Sequence, residues 1–116
     1  MPRSGDHELF RARLEAERRE LEAASSASSG ERAPAELDQQ SIGRLSRLDA
    51  IQVQAMAVET ERRRRLRLER IGAALARLDA GEFGWCAACG EAIPPARLEL
   101  DPTVPTCIAC ARRAEG

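Results

Sequence analysis

Apolar positions recur along this chain with a helical period. Leu9, Phe10, Leu14 and Leu21 form a narrow stripe among Arg and Glu residues. That spacing predicts a first helix over residues 7–24, with Asp6 as its cap. The helix needs a partner for its stripe, because one this short is marginal alone in water. Residues 24–34, ASSASSGERAP, interrupt the pattern. Serine competes for backbone hydrogen bonds and Pro34 ends a helix, so residues 24–36 read as a flexible Ser-rich connection.

A long second helix is expected over residues 37–80, starting at Leu37 or Ser41 and stopped by Gly81 as its C-cap. Its lower part carries Leu68, Ile71, Leu75 and Leu78, its upper part Leu48, Ile51, Ala55 and Val58, both spaced 3-4-3. At about 100° per residue the two stripes point to opposite sides of a straight helix. The helix therefore bends, or its halves meet different partners. The lower stripe is expected to pack on the first helix. The expected fold class is mainly α: an antiparallel coiled-coil hairpin over residues 1–80, followed by a small unit over residues 81–116.

That last unit is too small to sustain a hydrophobic core unaided. Aromatic residues are 3% of the chain and charged residues 32%, which suits a solvated hairpin and leaves the small unit in need of another support. The net charge of −1 argues against a chain drawn as a whole to nucleic acid, so direct DNA binding is not expected. All 18 basic residues are arginine, each a planar fork for carboxylates or phosphates. No apolar run is long enough to span a membrane and no apolar signal segment opens the chain. A cytoplasmic monomer is expected, and cytoplasmic thiols stay reduced.

The missing support is supplied by Cys86-x-x-Cys89, seventeen intervening residues, and Cys107-x-x-Cys110. Two such knuckles close a tetrahedron around one zinc ion. Gly90 follows the second cysteine, where a knuckle favours positive φ. Arg97, Arg112 and Arg113 are placed to offset the negative charge of a four-thiolate site. The alternatives are disulfides, against which the reducing compartment speaks, and redox-active thiol pairs, against which the absence of a βαβ pattern speaks. With four protein ligands no position remains for a catalytic water, so the zinc is structural. No nucleophile–base pair or phosphate loop points to an enzyme.

The residues around the cysteines say more. Phe83-Gly84-Trp85, Cys89-Gly90, Ile93-Pro94, Arg97-Leu98, Pro102 and Cys107-Ile108-x-Cys110 closely resemble the DksA/TraR family of C4-type zinc-finger proteins. The helix bearing Leu68, Ile71, Leu75 and Leu78 keeps that family's register without a gap, so the likeness covers about residues 62–112. The resemblance implies a protein that binds bacterial RNA polymerase, entering the secondary channel with a coiled-coil tip, in several members together with the alarmone ppGpp.

The tip departs from the family pattern D-x-x-D-x-A. In the same register those positions are Gly43, Ser46 and Leu48, and neither aspartate is present. Asp49, followed by Ala50, is the nearest acidic candidate, and a small indel would bring Ser46-x-x-Asp49 into the role. Asp38 is another carboxylate near the turn. Asp49 also reads as an ordinary solvated helix residue. Arg63 and Arg70 occupy positions where the resemblance implies contacts with polymerase or alarmone. The surrounding Arg62, Arg64, Arg65 and Arg67 read more simply as a solvated face paired with the first helix's Glu15, Glu17, Glu20 and Glu22. The competing classes are a nucleic-acid-binding zinc module using Arg97, Arg112 and Arg113, and a thiol-redox sensor that releases zinc on oxidation. His7 reads as a surface residue, and Trp85 as packing over the knuckle.

Overall fold

A computed structural model describes residues 4–32 and 44–115. The fold is mainly helical, an antiparallel helical hairpin with a small C-terminal four-cysteine module. The helices are α1 (Ser4–Ala27), α2 (Ser29–Arg32), α3 (Arg44–Ala80), α4 (Pro95–Leu100) and α5 (Ile108–Glu115). Two compact units are distinguished: residues 1–18 with 68–116, and residues 19–67.

In the first unit the core gathers Leu14 of α1, Ile71, Ala74, Leu75 and Leu78 of α3, and Phe83, Ile93, Leu98 and Pro102 of the module. Ile71, Ala74, Leu75 and Leu78 fall on one helical face, as the lower stripe predicts. Phe83 is 1% exposed and packs against α1: its ring centroid lies 5.2 Å from Phe10 and 5.5 Å from His7. His7 is thus a half-buried packing residue rather than a surface one. Leu9 is 71% exposed, because it falls out of phase with the inward positions His7, Phe10 and Leu14. Asp6 sits inside the first turn of α1, where it favours the helix dipole without being the cap. Arg13 donates to the carbonyls of Glu99 (2.6 Å) and Leu100 (3.4 Å), satisfying the last turn of α4.

At the end of α3, Gly81 takes φ +74°, its N–H bonds the Leu78 carbonyl, and the Glu82 N–H reaches back to Arg77 at 2.8 Å. This is the Schellman geometry that a glycine after the last turn permits.

The second unit departs from the expected connection. α1 continues through Ala27, and α2 adds another turn at Ser29–Arg32. The serines find partners that keep the backbone helical: the Ser28 hydroxyl donates to the Ala24 carbonyl at 2.9 Å, and Ser25 donates to Glu61 at 2.7 Å. Residues 33–36 of the connection lie outside the described residues. So do residues 37–43, where the long helix was expected to begin, including Asp38 and Gly43.

The upper stripe also behaves differently. Leu48, Ile51 and Val58 are 56%, 49% and 50% exposed, and Ala55 is exposed too. The inward positions of α3 in this unit include Arg47, Ala50, Gln54, Ala57, Glu61 and Arg64. Their 3-4 spacing runs in the same phase as Leu68, Ile71, Leu75 and Leu78. Each residue of the upper stripe sits one position, about 100°, past an inward one. The upper stripe is therefore not a second inward face, and the inward face here is small and polar.

Candidate metal centre

The module builds its site from two short segments. Around the first knuckle the Cys86 N–H bonds the Glu91 carbonyl at 2.7 Å and the Gly90 N–H bonds the Cys86 carbonyl at 2.9 Å. Trp85 and Ala92 form a single antiparallel bridge, and Ile93 N–H closes on Gly84 at 2.8 Å. Gly90 takes φ +78°, the left-handed conformation expected of it. The second knuckle opens α5, with the Ala111 N–H bonding the Cys107 carbonyl at 3.0 Å. One backbone bond joins the two: Ala87 N–H to the Pro105 carbonyl, 2.8 Å.

These turns gather the four thiols of Cys86, Cys89, Cys107 and Cys110, with all sulfurs within 4.8 Å of one another. The Sγ atoms of Cys89 and Cys107 are 3.8 Å apart. A tetrahedron with Zn–S of about 2.3 Å has edges of about 3.8 Å. Bonded sulfurs would lie at about 2.05 Å, and all four cysteines are free. Four soft donors at tetrahedral separation fit one zinc ion. Cys86 and Cys110 are buried, and Cys89 opens to solvent.

The thiols are electrostatically unequal. The Cys107 backbone N–H, with those of Cys89 and Ala88, holds Cys86 down to about 6 against the effect of burial. Cys107 is lowered by the Cys110 backbone N–H. Cys110 is pushed up to about 12 by its hydrogen bond with the Cys107 thiol and by burial, although an Arg113 guanidinium nitrogen lies 3.3 Å from its sulfur. At Cys89 the Glu91 backbone N–H pulls downward, but hydrogen bonding with Cys86 and burial prevail and the pKa rises. Four thiolates crowded together repel one another, and a divalent cation relieves that repulsion. Zinc must displace the protons that Cys89 and Cys110 hold at neutral pH. Acid therefore opposes binding, most steeply below about 6, where Cys86 also takes its proton. Dialysis followed by metal analysis should find zinc retained above neutrality and lost below about pH 5. Retention unchanged at that pH would contradict a four-thiolate site.

Residues 81–116 match the family model described as the prokaryotic dksA/traR C4-type zinc finger. Over 68 residues the chain is 41% identical to the RNA polymerase-binding transcription factor DksA of Haemophilus influenzae, a stretch covering 57% of this chain and 47% of that protein. The structure of transcription factor DksA2 from Pseudomonas aeruginosa matches with a TM-score of 0.77 and 28% identity, over 97% of this chain and 84% of that one. Residues 81–116 are thus a C4-type zinc finger of the dksA/traR kind, and the chain as a whole is similar to DksA proteins. Its match spans about half the length of the curated relative.

As a DksA/TraR-family zinc finger, the module carries one structural zinc ion. Of the three arginines expected to offset its charge, Arg113 meets Cys110 directly. Arg97 is turned instead to the Thr106 carbonyl at 3.0 Å, and Arg112 is exposed. The remaining candidates lie along α3, away from the cysteines in sequence. Ser46 belongs to its first described turn, Asp49 is exposed and Ala50 is half-buried. Arg63 is exposed and meets Glu59 at 3.3 Å. Arg62 also pairs with Glu59, at 2.8 Å, and holds that carboxyl down at about 2. Arg62 and Arg63 thus pair within α3 with Glu59, and Arg64 and Arg65 with Glu61.

Arg70 lines a cavity of about 410 Å³ with Arg77, Arg97, Asp101 and Thr103. Arg77 was not singled out by the sequence. It is half-buried, donates to the Thr103 carbonyl at 3.3 Å, and its pKa is lowered by burial. Its position seven residues after Arg70, on the same helical face, is the signal that would have found it.

Proposed function

We propose that this chain is a bacterial transcription regulator that binds RNA polymerase through the secondary channel, hairpin tip first. The observation that carries the reading is the likeness to DksA2, which extends over nearly the whole chain rather than the zinc finger alone. In this reading Cys86, Cys89, Cys107 and Cys110 hold the zinc that anchors the base of the hairpin. Ser46, Asp49 and Ala50 belong to the part of α3 nearest the turn and act on polymerase. Arg63 and Arg70 contact polymerase or ppGpp, and the arginine-lined cavity beside Arg70 suits the alarmone's phosphates. The protein works in the cytoplasm as a monomer and is not an enzyme. A nucleic-acid-binding module is disfavoured, since Arg97 and Arg113 are occupied within the zinc finger.

The test is competition on bacterial core polymerase. A transcript-cleavage factor that occupies the secondary channel should displace this protein; binding without competition, or no binding, would overturn the reading. Asp49→Asn should weaken the transcriptional effect and spare polymerase binding. An unchanged effect would remove Asp49 from the tip's machinery.

A further inference from the structure

Glu61 is the one buried carboxylate among the described residues, at 6% exposure. Its two oxygens are shared across the helix pair of the second unit. One accepts from the Ser25 hydroxyl at 2.7 Å and lies 3.6 Å from Arg64; the other accepts from Arg65 Nε at 3.0 Å. Arg64 in turn donates to the Ser28 hydroxyl at 2.8 Å. Two serines of α1, or just beyond its end, are thus clamped to two consecutive inward positions of α3, Glu61 and Arg64.

Beside these four, the inward residues include Leu21 and Ala24 on one side and Arg47, Ala50, Gln54 and Ala57 on the other, several of them small. Small side chains make shallow knobs that slide past one another at little cost, whereas a charged group buried in one place must find its partners or lose its solvation. Sliding α1 one turn in one direction sets Leu21 or Glu22 opposite Glu61, leaving the carboxylate against a hydrocarbon or a second carboxylate. Sliding it the other way gives Ser28 to Glu61 and takes it from Arg64.

We propose that Glu61 is a positioning residue: with Ser25, Arg64 and Ser28 it locks the register of α1 against α3, and so sets how far α3's residues near the turn project. The consequence for polymerase rests on the function proposed above, but the register does not, and it is read without polymerase. A keto-bearing amino acid installed at the exposed positions Ala23 and Thr60 takes ketone-reactive spin labels and leaves the cysteines untouched. The native chain should give one narrow inter-label distance. Glu61→Leu should keep its helicity and its zinc yet give a broad or double distribution, displaced by about 5 Å, one helical turn. Glu61→Gln, which keeps an acceptor for Ser25, should restore the single distance. An unchanged narrow distance in Glu61→Leu would overturn the proposal. So would loss of helicity in that variant, since Glu61 would then hold the pair together rather than align it. With the register shifted, an unchanged polymerase competition would count against the tip reading and leave the register lock standing.

Discussion

Removing the zinc is expected to unfold residues 81–115 while much of the α1–α3 helical signal survives. The reason lies in how little else holds the module. Its fully buried large side chains, Phe83, Ile93, Leu98 and Pro102, are few, and one backbone bond, Ala87 to Pro105, ties the knuckles together. Zinc binding to comparable four-ligand modules has an apparent free energy of about 10–16 kcal/mol at neutral pH. That exceeds the whole stability of most domains, about 5–15 kcal/mol. Trp85, the single tryptophan, is half-buried beside the first ligand and reports on the module directly. Chelation, or Cys110→Ser, should abolish its near-UV signal and open the module to protease, with the helical far-UV signal largely kept. Metal analysis of the native chain should give one zinc per chain. A module that keeps its protease resistance after complete zinc removal would refute this account.

The zinc site was legible because its information is local. Two Cys-x-x-Cys pairs specify their own turns, and Gly90 marks where the first turn needs positive φ. The residues around them carried the resemblance to the DksA/TraR family for the same reason. The lower half of α3 was legible because Ile71, Leu75 and Leu78 are both apolar and inward. The upper half was misread because there the two properties separate. Periodicity analysis assumes that the apolar stripe faces the partner. In the second unit the inward positions include the polar Glu61, Arg64 and Gln54, the first two bonded to Ser25 and Ser28, while Leu48, Ile51 and Val58 stay exposed. Counting back from Leu68 by four and seven residues would have reached Arg64 and Glu61. Their polarity hid a repeat that their spacing preserves. The Ser-rich connection was misread similarly: Ser25 and Ser28 are poor helix residues in isolation, and their partners lie 36 residues away.

Replacing Phe83 with alanine should destabilise the first unit by about 3–5 kcal/mol without releasing its zinc. Phe83 is nearly fully buried, and it is where the zinc module meets α1. Its ring packs at 46° to Phe10 and edge-on, at 79°, to His7. Such aromatic pairs add about 0.5–1.5 kcal/mol beyond the area they bury. Three polar ties between α1 and the rest of this unit are weaker. Arg11 pairs with Asp79 at 2.9 Å, but Asp79 is 69% exposed, and exposed ion pairs contribute about 0–1 kcal/mol. The Arg13 bonds to α4 are exposed as well. Phe83 itself ligates nothing, and the turns that gather the cysteines are held by backbone bonds from residue 84 onward. Denaturant unfolding monitored by helicity should show a large fall in midpoint for Phe83→Ala and a smaller one for Phe83→Leu, with metal analysis still giving one zinc per chain. A loss below about 1 kcal/mol would mean that the ring fills space without joining α1 to the finger, and a loss of zinc would mean that the aromatic contact and the metal site are one cooperative structure.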